Sequence, residues 1–258
     1  LLPNEFGELK QGIWVPKQVN KPSTDTLITS NLLANYQFVQ NSDDSSSNSN
    51  DPTYENNVTY KQNNGGAAYF NGLENSNAST INTGISSTTA ANSGTFTWSI
   101  WFNSNTYGGT SDILISSTDD LDGTAGMSGY SGGGAMLYLG SSTTVVGVFG
   151  TGGGSGTRGS VTSPSFNYEG IWTQATLVQS NGNFKKLYIN GSLVGTDTNS
   201  YYTTSGPSSR KVIFGTYDFI NANTGYTNST FGGYLGEAQF YTSALTDAEV
   251  LQNYNATK

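Results

Sequence analysis

Alternating apolar and polar residues are clearest in residues 172–197. Three short runs there, TQATLVQ, KKLYI and SLVG, have the period of two that a strand with one buried face produces. Asn181-Gly182 and Asn190-Gly191 separate the runs, and such a pair is a strong hairpin signal because a type I′ turn needs positive φ at both central residues. The segment therefore predicts an antiparallel meander of three strands. Its predicted inner face consists of Ala175, Leu177, Leu187, Ile189 and Leu193.

The same alternation predicts further strands on both sides of this meander. Residues 96–102, FTWSIWF, form the most apolar run and predict a strand in the middle of a sheet, with Trp101 on the face opposite to Trp98. Residues 150–159 predict a glycine-rich connection, because their GxGxxG match is not followed by a helix that could hold a dinucleotide phosphate. The other predicted strands are residues 31–40, 58–61, 67–72, 80–85, 112–117, 135–140, 144–149, 212–215 and 233–241.

One helix is predicted, near the C-terminal end of the sequence. Thr246 and Glu249 have the spacing of a capping box, in which each side chain binds the backbone N–H of the other residue. Val250, Leu251 and Tyr254 would then pack on a sheet. Many short strands with Asn/Gly turns and one terminal helix predict an all-β fold, a sandwich of two antiparallel sheets.

Composition excludes several classes of function. The 258 residues carry a net charge of -8 with only 10 Lys and Arg, so the basic surface that nucleic-acid binding needs is missing. The absence of Cys and His excludes thiol catalysis, Ser-His-Asp catalysis and zinc sites built from those residues. No run has the length of a membrane span, so membrane insertion is not expected.

Residues 1–30 are predicted to be an N-terminal arm or tether, and residues 31–258 the sandwich. The arm holds three of the six Pro, together with Phe6, Ile13 and Trp14. These apolar side chains need a surface, which is either the sandwich of the same chain or a partner. The sequence opens with Leu1 rather than Met, and removal of a leader or propeptide is one interpretation of this start.

Six segments follow one another along the chain as LLANYQF, GAAYFNG, FTWSIWFN, WTQATLVQSNGNFKKLYINGSLVG, VIFGTYDF and GGYLGEAQFYTSALTDAEVLQNYN. In this order they resemble the concanavalin A-like, laminin-G-like jelly-roll superfamily in its bacterial or viral form. The resemblance covers about residue 31 to the C-terminus and implies a jelly-roll sandwich. That fold hosts lectins, adhesion modules, glucanases and structural proteins, so the resemblance alone does not fix a function.

Catalytic carboxylates are not evident. The resemblance implies that a glucanase of this superfamily would carry Glu-x-Asp-x-x-Glu on one strand, which aims two carboxylates at one glycosidic bond. Of the seven Glu, Glu237 is the best placed in a predicted strand, but no second carboxylate follows it in AQFY. The sequence therefore predicts no catalytic residues and no enzyme activity.

Calcium is a candidate cofactor. Asp119, Asp120 and Asp122 lie in one glycine-rich loop and offer the oxygen ligands that calcium prefers. An EF-hand is excluded, since the twelfth residue counted from Asp120 is Ser131 rather than Glu. The alternative is that these carboxylates only bind water.

A second calcium candidate follows from the resemblance, which implies a calcium at the rim of the sandwich in many relatives. It pairs Asp43 and Asp44 with Glu237, and Gly236 stands where relatives often carry Asp.

Five tyrosines lie in loops rich in Gly, Asn and Thr. Aromatic rings stack on the apolar faces of sugars while Asn and Asp bind their hydroxyls, and tyrosine-rich loops also suit protein contacts. The alternative is that some of these rings only cap the ends of the sandwich. The predicted ligand-binding residues are Tyr107, Tyr130, Tyr201, Tyr202 and Tyr226.

These features predict a non-catalytic carbohydrate-binding or adhesion module displayed on a cell surface or virus particle. Its partner would be a glycan or surface polysaccharide. The alternative is a structural or decoration protein of a phage capsid or tail, whose arm docks on neighbouring structural subunits. Either function would be exercised outside a cell or on a virion.

Overall fold

The computed structural model describes residues 8–10, 13–15, 25–62, 65–74, 77–91, 94–105, 112–117, 134–150, 158–198, 210–216 and 229–258. Within these residues two antiparallel sheets share one hydrophobic core, which confirms the predicted jelly-roll sandwich. The back sheet contains, in spatial order, β15 (Ser192–Asp197), β14 (Phe184–Ile189), β13 (Thr173–Ser180), β8 (Phe96–Ser104), β17 (Gly232–Tyr241), β6 (Ala67–Asn71) and β5 (Thr59–Lys61), with β3 (Leu32–Tyr36) also paired to β17. The front sheet contains β12 (Arg158–Thr162), β11 (Thr144–Gly150), β10 (Ala135–Ser141), β9 (Asp112–Ser116), β16 (Lys211–Phe214), β7 (Thr80–Ser86) and β4 (Tyr54–Asn56).

β8 is the central strand of the back sheet, between β13 and β17. Its inner face presents Trp98 and Phe102 to the core, where both are completely buried. Trp101 lies on the outer face, as the alternation predicts. The edge-to-face contact of Trp98 with Phe240 of β17, at 5.7 Å between ring centroids, joins neighbouring strands inside the core.

The predicted meander is confirmed as β13, β14 and β15, which pair in sequence. At the second turn Asn190 has φ 50° and Gly191 has φ 74°, the positive values that a type I′ turn requires. The Asn190 side chain also accepts a hydrogen bond from the backbone N–H of Gln174 at 2.8 Å. This turn is therefore held to β13 as well as closing its own hairpin.

The prediction that Leu193 faces the core is wrong. The pairing of β14 with β15 shifts by one residue, so that Leu187 opposes Gly195 whereas Tyr188 opposes Leu193. This β-bulge turns Leu193 to the outer face, where it is 44% exposed. Val194 packs against the core in its place.

β17 has one neighbour along one edge and two along the other. β8 pairs along most of its length, whereas β6 pairs with its first half and β3 with its second half. Leu235 opposes Phe102 of β8, and Ala238 opposes Ile100. Two residues of β17, Gly236 and Glu237, therefore lie opposite the single residue Trp101 of β8. This β-bulge lies where β6 and β3 meet end to end.

Helix α2 (Asp247–Thr257) covers part of the outer face of the back sheet. The predicted capping box is present: Thr246 accepts from the backbone N–H of Glu249, whose side chain accepts from that of Thr246. Val250 is buried against Tyr188 and Tyr241, whereas Leu251 is 47% exposed and its Cδ1 lies beside Gly191, at the turn between β14 and β15.

Asn253 of α2 is buried and links the helix to two other parts of the chain. Its side chain accepts from the backbone N–H of Ile28 and donates to the hydroxyl of Tyr241, both at 2.9 Å. The same hydroxyl donates to the carbonyl of Ile28 at 2.9 Å. The segment before β3 is thereby held between α2 and the back sheet.

Outside the predicted arm, three described elements were not predicted: β4, β12 and the four-residue helix α1 (Ser87–Ala90). β12 lies partly in the predicted glycine connection, and its Gly159 leaves room for the end of the buried Lys185 side chain, whose Cε would lie 2.9 Å from a Cβ there. In the predicted arm, β1 (Glu8–Lys10) pairs with β2 (Ile13–Val15) as a separate two-stranded sheet.

Among the described residues, no helix is long and apolar enough to cross a membrane.

Candidate functional site

The sites predicted from loop sequences lie outside the described residues. This applies to both the predicted ligand-binding tyrosines and the first calcium candidate, which therefore stay predictions. The residues concerned are Tyr107, Tyr130, Tyr201, Tyr202, Tyr226, Asp119, Asp120 and Asp122.

Four side chains form a row across the outer face of the back sheet. Tyr69 of β6 opposes Tyr234 of β17, which opposes Asn103 of β8. Trp172 directly precedes β13. Because Thr173 of β13 opposes Phe102 of β8, Trp172 lies opposite Asn103 and continues the line. We call Trp172, Asn103, Tyr234 and Tyr69 the aromatic row. Three steps from strand to strand separate the backbone positions of Trp172 and Tyr69 by about 14 Å.

The aromatic row is accessible and offers polar groups beside its rings. All four side chains are partly exposed, and the rings of Tyr69 and Tyr234 lie 5.1 Å apart at 52°. Neither tyrosine hydroxyl nor the Asn103 amide is hydrogen-bonded to another residue among those described. Burial, followed by the neighbouring Tyr69, raises the pKa of Tyr234, so its hydroxyl stays protonated and can donate.

Gly236 leaves room for the indole of Trp172 on the outer face of the back sheet. A Cβ at this position would lie 2.9 Å from Cβ of Trp101 and 3.1 Å from Cζ3 of Trp172. The ring of Trp172 therefore reaches over β8 to the backbone of β17. A larger residue at position 236, including the Asp of the second calcium candidate, would displace one of these two indoles.

Glu237 follows directly and is the carboxylate nearest to the aromatic row along β17. It is partly exposed, its Oε1 accepts from Nε2 of Gln239 at 3.0 Å, and it forms no ion pair with a described residue. Burial raises the pKa of Glu237, while hydrogen bonds from Gln239 and Asn35 partly offset the effect. Its neighbour on the same face of β17 is the amide of Gln239 rather than a second carboxylate.

Asp44, of the second calcium candidate, organises its own loop. Its Oδ1 accepts from the backbone N–H groups of Asn35 and Ser46, and its Oδ2 from the Ser46 hydroxyl and the Asn50 backbone N–H, each at 2.8 Å. Four donors occupy both oxygens, which does not fit a role as a metal ligand. Among the described residues no group of three or more Asp, Glu, His or Cys is close enough to hold a metal ion.

The outer face of the front sheet differs from that of the back sheet. Its central strands carry a second hydrophobic cluster, separate from the main core, in which Ile113 and Met136 are completely buried. This face consequently offers no open apolar surface at those strands. The aromatic row is the better candidate site among the described residues.

Sequence reasoning missed the aromatic row because it searched the loops for aromatic residues. Alternation does indicate that Tyr69, between the inward Ala68 and Phe70, faces outward. It does not indicate which strands are neighbours, or that α2 covers Trp101 but leaves Tyr234 partly exposed. Only the strand order brings the four side chains into one line.

Comparison with known proteins identifies the family. The model of the concanavalin A-like lectin/glucanases superfamily matches residues 75–251, well over half of the chain. A comparison of the sequence with curated proteins gives no significant match.

Several solved structures share the fold. The binding domain of botulinum neurotoxin DC, solved in complex with rat synaptotagmin II, has a TM-score of 0.64 at 14% identity, over 90% of this chain and 52% of that one. The binding domain of Paraclostridial Mosquitocidal Protein 1 has a TM-score of 0.63 at 16% identity, over 88% and 52%. The binding domain of botulinum neurotoxin serotype G has 0.62 at 14%, over 87% and 50%.

The chain thus spans about half the length of the solved structures it matches, and at these identities the likeness concerns the fold. The family match and the sandwich of two antiparallel sheets agree with each other. This protein belongs to the concanavalin A-like lectin/glucanases superfamily.

Proposed function

We propose that this protein is a non-catalytic carbohydrate-binding or adhesion module that acts outside a cell or on its surface. The observation that carries the proposal is the aromatic row, with three partly exposed rings and unpaired polar groups on a rigid sheet. The similar solved structures are named as binding domains, of a botulinum neurotoxin and of a mosquitocidal protein, which supports a binding role.

The aromatic row has the chemistry of a saccharide site. Sugar rings present apolar C–H faces that stack on Trp and Tyr, and their hydroxyls need hydrogen-bond partners. The hydroxyls of Tyr69 and Tyr234 and the amide of Asn103 supply both donors and acceptors. Because the ring of Trp172 reaches over to β17, the three rings lie closer together than the backbone positions of the row.

Support for a non-catalytic role comes from the carboxylates. Hydrolysis of a glycosidic bond needs two carboxyl groups flanking it, one of them as acid. Beside the aromatic row, Glu237 is accompanied by Gln239 instead. A single carboxylate can bind a sugar hydroxyl but does not supply both catalytic roles.

A glycan array followed by calorimetry with the best ligand tests the proposal. We expect Trp172→Ala and Tyr234→Ala each to weaken binding about tenfold, or ~1.4 kcal/mol, since each removes one stacking ring. Tyr54→Ala is the matched control, because Tyr54 is 56% exposed on the edge strand β4 of the front sheet. Unchanged affinity in both row variants, or an empty array with folded protein, would contradict the proposal.

Repeating the array after chelation tests calcium separately. Loss of signal on chelation and in a triple Asp119→Ala, Asp120→Ala and Asp122→Ala variant would establish the predicted loop as a calcium site that supports binding. Retained signal would support the carbohydrate site and show that binding does not require calcium. The same array with Tyr130→Ala or Tyr202→Ala would show whether the predicted loop tyrosines contribute.

The alternative of a phage capsid or tail decoration protein gains no support from the similar solved structures, which are named as binding domains of botulinum neurotoxins and of a mosquitocidal protein. The two functions differ in whether they need the N-terminal arm, because only a decoration protein would use it to dock on neighbouring subunits. A stable assembly that dissociates when residues 1–24 are removed would favour the structural role.

A further inference from the structure

Thr257, in the last turn of α2, has a hydroxyl whose hydrogen-bonding positions are all occupied. Its Oγ1 accepts from Nε1 of Trp101 at 2.9 Å and from Nε2 of Gln174 at 3.2 Å. It also donates to the carbonyl of Asn253, within the helix, at 2.9 Å. A hydroxyl has one donor and two acceptor positions, so one side chain of α2 joins β8 to β13.

Both donors on the back sheet depend on this hydroxyl. Trp101 and Gln174 oppose each other and are only 7% and 1% exposed, so water does not readily replace a lost partner. The Oε1 of Gln174 is buried without a hydrogen-bond partner among the described residues, so the bond to Thr257 is what fixes its amide. Loss of the Thr257 hydroxyl would leave two buried donors unpaired, which is more unfavourable than the loss of two exposed hydrogen bonds.

Trp101 in turn borders the ring of Trp172. The backbone of Trp172 lies opposite Asn103, whereas the far edge of its indole lies against Gly236, which is opposite Trp101. The ring therefore crosses β8 diagonally, towards Trp101. A Cβ at Gly236 would lie close to both side chains, so a movement of Trp101 changes the space in which the indole of Trp172 rests.

We propose, resting on the function proposed above, that Thr257 is a positioning residue of the glycan site. By holding Trp101 and Gln174 in place, it keeps the indole of Trp172 in the orientation on which a sugar ring stacks. Its own hydroxyl is fully occupied and does not contact the ligand. Because coupling between two sites is reciprocal, a ligand that stacks on Trp172 stabilises the last turn of α2 in return.

Calorimetry with the best ligand of the glycan array compares Thr257→Val with Thr257→Ser. Val has the shape of Thr without the hydroxyl, so we expect about fivefold weaker binding, whereas Ser keeps the hydroxyl and should remain within about twofold of wild type. In the Trp172→Ala background, Thr257→Val should have no further effect, because the ring that it positions is already absent. Equal losses in the Val and Ser variants, or additive losses in that background, would overturn the positioning role.

Thr83→Val is the matched control, because the buried hydroxyl of Thr83 also forms two hydrogen bonds. It donates to the carbonyl of Val212 at 3.0 Å and accepts from the backbone N–H of Ile85 at 3.1 Å. Thr83 belongs to β7 of the front sheet, so its replacement should lower stability without changing affinity. A comparable loss of affinity in this control would assign the effect of Thr257→Val to general destabilisation and overturn the proposal.

An NMR spectrum of the indole N–H groups gives a readout that needs no ligand. Single replacement of Trp101 and Trp172 by Phe assigns their signals. Thr257→Val should shift the signal of Trp172 as well as that of Trp101, whereas Thr83→Val should shift neither. An unchanged Trp172 signal would overturn the proposal. Absence of binding to every glycan, together with the expected shift, would instead overturn the proposed function and leave Thr257 as the residue that positions Trp172.

Discussion

The indole ring of Trp101 stacks on the phenol ring of Tyr254, with centroids 5.6 Å apart and planes at 25°. Nε1 of Trp101 also donates to Oγ1 of Thr257 at 2.9 Å. Trp101 belongs to the central strand of the back sheet and Tyr254 to α2, so this contact fixes the helix on the outer face. It also sets the border between the covered part of that face and the aromatic row.

Tyr254→Ala should lower the free energy of unfolding by about 2 kcal/mol, because it removes the stacked ring and exposes Trp101. Urea denaturation followed by tryptophan fluorescence measures the change. Tyr254→Phe is the control and should cost less than about 0.5 kcal/mol, since it keeps the ring. Equal stability of the Ala variant and wild type would show that the stack does not hold the helix.

Gly236→Ala should weaken glycan binding, but less than Trp172→Ala does, because the added Cβ shifts the indole that rests there without removing it. The effect should largely disappear when Gly236→Ala is introduced into the Trp172→Ala background, since the ring is then already absent. Calorimetry of the two single variants and the double variant measures this coupling. Additive losses would mean that Gly236 acts on the site by another route.

Asp44→Ala should destabilise the protein by about 3 kcal/mol, because four hydrogen-bond donors lose their acceptor inside the fold. Asp43→Asn, one residue earlier on the exposed side of the loop, should change stability by less than about 0.5 kcal/mol. Thermal unfolding in the presence of a chelator compares the two. A small effect of Asp44→Ala would contradict its role as the centre of the loop.

The stability contributed by Asp247 should disappear in acid. Hydrogen bonds from Lys186 and Tyr188, each at 2.6 Å, lower the pKa of Asp247 below its ordinary value. A group whose pKa is lower in the folded state stabilises the protein at every pH above its unfolded-state pKa, which is near 3.9 for Asp. This stability is lost as the pH falls through the folded-state pKa. Asp247→Asn should thus cost less than about 1 kcal/mol at pH 7, as for an exposed pair.

Denaturant titrations of wild type and Asp247→Asn between pH 7 and pH 2 measure this difference. It should shrink towards zero at the acidic end. A difference that is constant over the whole range would assign the effect to something other than ionisation.

Glu237 should have the opposite pH dependence, because burial raises its pKa. Stability linked to a raised pKa is fully present below the unfolded-state value, near 4.3 for Glu, and is lost as the pH rises through the folded-state value. Glu237→Gln should therefore be more stable than wild type at pH 7 and equal to it near pH 4. Melting temperatures across this range provide the measurement, and a variant less stable at pH 7 would refute the sign.

Local patterns were sufficient to predict β8, the meander of β13 to β15 and the capped helix α2, because alternation, Asn-Gly turns and a capping box act over a few residues. Leu193 was assigned to the wrong face because a β-bulge changes the alternation by one residue without a signal in the sequence. β12 was missed because it begins inside a glycine-rich run, and it becomes a strand by pairing with β11.

The candidate site depends on similar long-range relations. Tyr69, Asn103 and Tyr234 belong to three strands that are neighbours only in the folded sheet. Their exposure depends on where α2 ends. Loop aromatics can be found by inspection of a sequence, whereas a row across strands requires the strand order.

The two-part edge of β17 has a consequence for the order of folding. Its partners β3, β6 and β8 all precede residue 105, and β17 supplies the connection among them more than 120 residues later. The pairing of the back sheet cannot be completed before residue 241 has been synthesised. Until then β3, β6 and β8 have unpaired edges. Contacts of such long sequence separation slow folding, and exposed edges invite association between chains. A chain that stops before Gly232 should accordingly aggregate rather than form a smaller sandwich.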